Sequence, residues 1–199
     1  MKRIAVLISN KGKSTNLQAI INAVESGIIH AKIIVVVSDT QDAYGVKRAA
    51  KHQLKVEICQ KKEYLPSILK KYDPAYIALA GWKQIILDEV IDAFPNRILN
   101  VHPGLIPDSP DGIVTAPDNT QALWNKGKFA DKAIQNFLDQ KSTYAGSTIH
   151  FLSNEFDFGP VLKRGFVKVH KNDTVDSLRK IKKRGAQNLH RIFAKALPA

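Results

Sequence analysis

The chain opens on a short apolar run, Ile4–Ile8, entered from Lys2 and Arg3, after which the hydrophobic positions change their period. Leu17, Ile20, Ile21 and Val24 fall at i, i+3, i+4 and i+7. They line one face of a helix that Gly27 closes. Ile33–Val37 is a run of β-branched aliphatic residues, the composition of a strand covered on both faces in a parallel sheet. The pattern then predicts a helix over Gly45–Gln53, a strand over Val56–Cys59 and a helix over Lys61–Tyr72, with Pro66 near its start or at a kink. A strand over Tyr76–Ala80 follows, then a helix over Ile85–Phe94 stopped by Pro95, then a strand over Ile98–Val101. Strands and helices alternating through short connections predict an α/β fold, a doubly wound and mostly parallel open sheet.

Past Pro103 the pattern changes. Pro103, Pro107, Pro110 and Pro117, with Gly104 and Gly112, make a long loop. A helix is expected near Thr120–Asn125, followed by a polar stretch through Lys141. Ser147–Leu152 and Val161–Val169 read as strands of a β-hairpin turning around Asp157–Pro160. A closing helix is predicted over Thr174–Lys195, with Asp173 as N-cap and Val175, Leu178, Ile181, Leu189 and Ile192 in the core. Gly185 interrupts it at a cost of about 1 kcal/mol relative to Ala. No repeat or linker divides the chain, so one domain over 1–199 is expected.

Composition narrows the classes. The chain has 199 residues, 44% hydrophobic and 24% charged, which is a globular mixture and not a disordered tail. No apolar run approaches the ~20 residues that span a bilayer. The start turns polar at Asn10 without a cleavage-like site, so membrane and secretory readings fall away. The single cysteine, Cys59, cannot form an internal disulfide and suits a reducing cytoplasm. The formal charge is 30 − 18 = +12. Residues 163–199 hold 11 basic and 2 acidic residues, or +9, leaving +3 for the rest. Such a segment can bind nucleic acid, attract small polyanions or form a solvated helix face, and composition alone leaves all three open.

Three stretches carry candidate chemistry. Ser9–Asn16 joins the first strand to the first helix, where helix amides can receive an anion. Gly12-Lys13-Ser14 has the ending of a P-loop, but Leu7 stands where the required earlier glycine belongs, which rejects a triphosphate site. A simpler phosphate cradle fits the loop, and so does plain capping by Ser14, Thr15 or Asn16. Asn100 and His102 are two apart on a strand, so both leave the same face at its carboxyl end, where open α/β sheets hold ligands. A histidine there can exchange protons or stabilise an oxyanion beside the carboxamide, although structural hydrogen bonding explains the pair equally well. The stretch from His150 to Pro160 places Asp157 beside a Gly-Pro turn. Brought to His102, that carboxylate would favour the ring's charged form and fix its orientation; otherwise it is a turn former.

Taken in order, the segments ISN…NLQAI, VVSD…DAYG, ALAGW, ILNVHPGLIP and GSTIHF…FDFGPV resemble the phosphoribosylglycinamide formyltransferase family over residues 3–169. The resemblance implies a Rossmann-like formyltransferase fold and makes Asn100, His102 and Asp157 the catalytic residues, with His150 a further histidine of the site. An amine would attack the formyl carbon of 10-formyltetrahydrofolate, and protonated His102 with Asn100 would stabilise the oxyanion. Asp157 would help pass a proton, through water, to the departing folate nitrogen. By the same resemblance, Gly12, Lys13, Ser14, Thr15 and Asn16 hold the acceptor's phosphate, and Gly81 lets backbone approach the amine. The folate would lie along Trp82, Lys83, Gln84, Ile85, Ile86 and Leu87. Leu99, Val101 and Pro103 would join it from the central strand, and Asn154, Glu155 and Phe156 from the turn.

The implied ligands are small and anionic: 10-formyltetrahydrofolate as co-substrate and glycinamide ribonucleotide as acceptor, in cytoplasmic purine biosynthesis. No metal, membrane or nucleic acid is called for, and a homodimer is allowed. The chain departs from the pattern at several points. Gln84 stands where many members have arginine, and Gly185 where a glutamate is usual. The phosphate loop is longer and carries two lysines, segment 108–144 differs, and Tyr144-Ala145 stands where a histidine precedes the glycine. The Asn-x-His plus Asp set is shared by other enzymes of 10-formyltetrahydrofolate. A formyltetrahydrofolate hydrolase is therefore an alternative, though such enzymes usually begin with a regulatory domain. Methionyl-tRNA formyltransferase would need a tRNA domain for which 199 residues leave no room. A basic RNA-binding module is the alternative of a different class, opposed by the lack of an RNA-reading motif and by 8% aromatic content.

Overall fold

The apolar run at the start of the chain becomes an interior strand. In the computed structural model, which describes residues 1–9 and 14–186, β1 (Lys2–Ile8) is buried from Ile4 onward. It pairs in parallel with β2 (Ala31–Ser38) on one side and β4 (Tyr76–Leu79) on the other. β3 (Val56–Ile58) lies beyond β2, and β5 (Ile98–His102) beyond β4, both parallel. The order β3-β2-β1-β4-β5 surrounds β1 with partners, which is why its residues need no polar alternation. These strands belong to one compact unit, Met1–Asn100, and a second unit begins at Val101, so β5 supplies the last residue of one and the first of the next.

The helices of the first unit follow the expected spacing closely. α1 (Thr15–Glu25) buries Leu17, Ile20, Ile21 and Ala23 and ends at Gly27, whose φ of 74° suits glycine. α2 spans Tyr44–Lys51. A 3-10 turn, Lys62–Tyr64, leads into α3 (Leu65–Tyr72), with Pro66 in the first turn, where its missing N–H costs no hydrogen bond. The helix expected over Ile85–Phe94 is shorter: α4 is Asp88–Ala93, preceded by extended Leu87. Asp88 and Glu89 complement its positive N-terminal end, while Ile85 is 62% exposed and contributes nothing to a helical core.

In the second unit the sheet order is β5-β8-β9. β8 (Tyr144–Phe151) and β9 (Val161–Lys168) form the expected antiparallel hairpin, from Tyr144 opposite Lys168 to His150 opposite Val161, with a register shift between Ile149 and His150. The segment before it corrects two expectations. No helix forms at Thr120–Asn125; instead β6 (Val114–Thr115) and β7 (Gln121–Ala122) make a small antiparallel pair. Leu105, Val114, Ala116 and Ala122 cluster there against Tyr144 and Phe166, and that burial outweighs the local preference. The polar stretch contains a helix, α5 (Ala130–Asp139), burying Ala133, Ile134 and Phe137. The charged residues of its outer side conceal the narrow apolar stripe. α6 (Val175–Ala186) is capped one residue later than expected. The amide of Ser177 donates to Oγ1 of Thr174 and the amide of Thr174 to Oγ of Ser177. Asp173 accepts instead from the His170 amide and the Ser177 hydroxyl. Leu178 is buried as expected and Val175 only half-buried, whereas the Ile181 side chain, Leu189 and Ile192 lie outside what the structure describes, as do Gly12 and Lys13.

Candidate active site

Strand alternation puts the side chains of Asn100 and His102 on one face of β5. Asn100 is half-buried, whereas His102 is 1% exposed. Its Nε2 lies 2.7 Å from the main-chain oxygen of Trp124. A carbonyl only accepts, so Nε2 carries a proton. Nδ1 faces Oδ1 of Asp157 at 3.6 Å, an ion-pair distance when the ring is protonated and too long for a hydrogen bond.

Asp157 forms the turn and also faces His102. Its φ is 52°, so the main chain is in the left-handed region. Its carbonyl accepts the indole N–H of Trp124 at 3.1 Å, and its Oδ2 accepts the Gly127 amide at 2.7 Å. Burial works to raise the carboxyl pKa. The neighbouring His102 ring, the Gly127 amide and the His150 ring outweigh it and leave the group below its ordinary value. Gly159 makes the turn achievable: its φ is 140°, and a Cβ there would overlap the Phe151 carbonyl oxygen.

His150 is fully buried and meets His102 edge to face, with centroids 6.3 Å apart and planes at 88°. Its Nδ1 donates to the Phe151 carbonyl at 2.9 Å. Burial, then the charge of His102, pushes its pKa from 6.5 down to about 4, so it is neutral at physiological pH. The structure thus gathers His102, Asp157 and His150 into one cluster.

The polypeptide leaving β5 is held by Thr148, which is fully buried. Its hydroxyl accepts from the Ile106 amide at 3.0 Å and donates to the Gly104 carbonyl at 2.8 Å. At Gly104, a Cβ would overlap the carbonyl of Trp124, the acceptor of His102. The sequence pattern does not single out Trp124, Gly127, Gly104 or Thr148 as parts of this cluster. The available signal was Asn125-Lys126-Gly127, turn chemistry that contradicts a helix; both Asn125 (φ 59°) and Gly127 (φ 74°) have positive φ.

The remaining predicted positions differ in accessibility. In the first unit, Ser14 is the N-cap of α1, yet its side chain makes no capping bond and its φ is 47°. Its Oγ and Ile8 occupy the space that a Cβ at Gly45 would need. Thr15 and Asn16 are exposed. Gly81 has φ 94° with open space around it, so conformation rather than crowding selects glycine. The Nε1–H of Trp82 is buried without a hydrogen-bond partner, a donor with capacity for a ligand. The Lys83 amide donates to Ser9 Oγ at 2.9 Å. Gln84 spends its amide on the carbonyls of Cys59 and Gln60, at 3.4 and 3.2 Å. Ile86 and Leu99 are buried, and Leu87, Val101 and Pro103 half-buried. On the hairpin turn, Asn154 and Phe156 are exposed, and Glu155 pairs with Lys126 at 3.1 Å. A separate concavity of about 450 Å³, lined by Asp108, Ile113 and Arg164 among others, includes none of the predicted site residues.

Comparison with known proteins places these features in context. A family model described as formyl transferase matches residues 2–197. The phosphoribosylglycinamide formyltransferase of Haemophilus influenzae is 31% identical over 188 residues, 89% of this chain and 78% of that protein. The chloroplastic phosphoribosylglycinamide formyltransferase of Arabidopsis thaliana is 29% identical across all of this chain, which spans 65% of the plant protein's length. The crystal structure of glycinamide ribonucleotide transformylase 1 from Symbiobacterium toebii aligns with a TM-score of 0.78 and 32% identity, covering 99% of this chain and 86% of that one. The expected mostly parallel open sheet with flanking helices is the fold they share.

Proposed function

This chain belongs to the formyl transferase family, and from that premise we propose that it transfers the formyl group of 10-formyltetrahydrofolate to the primary amine of glycinamide ribonucleotide, a step of purine biosynthesis. The observation that carries the reading is the buried His102 facing Asp157, with Asn100 two residues before it on β5.

Attack of the amine on the formyl carbon turns the carbonyl oxygen into an oxyanion. The carboxamide of Asn100 and the Nδ1–H of protonated His102 donate to it; one such donor typically lowers the barrier by ~3 kcal/mol. Asp157, held ionised by the neighbouring imidazoles and the Gly127 amide, balances the imidazolium and receives the proton that the attacking nitrogen must lose. Through water, that proton passes to N10 of the folate as the C–N bond breaks. His150, neutral and tied to the Phe151 carbonyl, packs against His102 without adding a second positive charge.

Ser14, Thr15 and Asn16, with Gly12 and Lys13, are assigned to the acceptor's phosphate. Gly81 and the stretch Trp82–Leu87 are assigned to the folate. Gln84 cannot supply the charge of an arginine, so folate recognition at that position is weaker for an anionic tail. A cytoplasmic setting fits the free thiol of Cys59.

The test is an acceptor screen with 10-formyltetrahydrofolate and purified chain. Formylation of glycinamide ribonucleotide is the expected result. Release of formate at the same rate without acceptor would favour the hydrolase instead, and turnover of neither substrate would overturn the assignment.

A further inference from the structure

We propose that Trp124 is a positioning residue for His102 and Asp157: it fixes the proton of His102 on Nε2 and anchors the turn bearing the carboxylate, leaving Nδ1 as the working nitrogen. The consequence for turnover rests on the formyl-transfer reading; the proton position does not.

Both halves of the pair are tied to one short segment. The Trp124 carbonyl is 2.7 Å from Nε2 of His102, and the Trp124 indole donates at 3.1 Å to the carbonyl of Asp157. Three residues on, the Gly127 amide reaches Oδ2 of Asp157 at 2.7 Å. The indole is itself held, with Phe158 packed at 5.8 Å and Nζ of Lys126 at 4.7 Å from the ring. Lys126 also pairs with Glu155 on the same turn. Gly104 lets the carbonyl approach, because a Cβ there would overlap it. A carbonyl can only accept, so an imidazole hydrogen-bonded to it in this way keeps its proton on Nε2. The second proton of the imidazolium then sits on Nδ1, the nitrogen that faces Asp157 and is left to donate to the oxyanion. His150, by contrast, has the carbonyls of both Phe151 and Phe158 as partners, so no single acceptor sets its tautomer.

The imidazole nitrogens of the 15N-labelled full chain report this directly through long-range 1H–15N couplings, followed upward in pH until the nitrogen shifts stop changing. His102→Asn and His150→Gln identify the two signals by their loss. His102 is expected in the Nε2–H form; a neutral His102 protonated on Nδ1 overturns the proposal. Trp124→Phe keeps a ring and the main-chain carbonyl but removes the indole donor. It should lower kcat by about tenfold, with KM for both substrates unchanged and the pH profile of kcat displaced. Full turnover, or a rise in KM alone, counts against a positioning role. Gly104→Ala, which forces the carbonyl away, should mix the His102 tautomers and lower kcat by roughly 100-fold. If that variant does not fold, the wild-type tautomer and Trp124→Phe still decide. A chain with the Nε2–H signal but no formyl transfer would keep the arrangement and refute the activity.

Discussion

Asp157 sits in surroundings that oppose charge by burial and then favour it by specific partners, and it faces the buried ring of His102. Under the proposed reaction, substituting either removes a group from the reacting centre and leaves the sheet intact. His102→Asn and Asp157→Asn should therefore lower kcat by about 10²- to 10⁴-fold, the usual contribution of a proton-transferring side chain. Circular dichroism should stay unchanged, and turnover near wild type in either variant would remove the catalytic assignment. The buried imidazole of His150 makes a thermodynamic prediction. Its pKa is depressed from 6.5 to about 4 in the folded chain. The associated stability is present in full above about pH 6.5 and is lost as pH falls toward 4, because the unfolded chain takes up the proton first. Asp157, also depressed, loses its share at still lower pH, as the folded carboxyl is protonated. Thermal melting of His150→Gln from about pH 7 to pH 4 should show a flatter acid decline, by on the order of 3 kcal/mol. An unchanged slope would mean that His150 is not the group responsible.

At the level of elements, the features nearest the site were the least legible in sequence. β1, β2 and α1 announce themselves through uninterrupted local patterns. α5 does not, since its buried face is only Ala133, Ile134 and Phe137 among polar neighbours. Phe137 is fully buried, so Phe137→Ala should cost about 3–5 kcal/mol in urea unfolding. A cost below ~1 kcal/mol would show that α5 is not part of a packed core. The hairpin turn depends on Gly159 for a different reason. Both its φ of 140° and the nearby Phe151 carbonyl exclude a side chain. Gly159→Ala should move the turn carrying Asp157 and depress kcat as well as melting temperature; a loss of stability with full kcat would separate the turn from the site.

Across the whole molecule, the net charge of +12 acts on ligands that are themselves anionic under the proposed reaction. Steering of this kind weakens with salt. Raising ionic strength from about 0.05 to 0.5 M should lower kcat/KM several-fold with little change in kcat, and a salt-independent kcat/KM would leave the basic surface without a role in capture. The amino-acid sequence by itself determined the alternation of strands and helices in the first hundred residues and singled out the candidate side chains. Periodicity is local, and Asn, His and Asp are visible as residue types. Only the tertiary structure decided how those side chains are held. Trp124 meets His102 across 22 residues and Asp157 across 33. The atoms that make the contacts are largely main-chain carbonyls and amides, which every sequence carries, so their partners are chosen by the path of the folded chain.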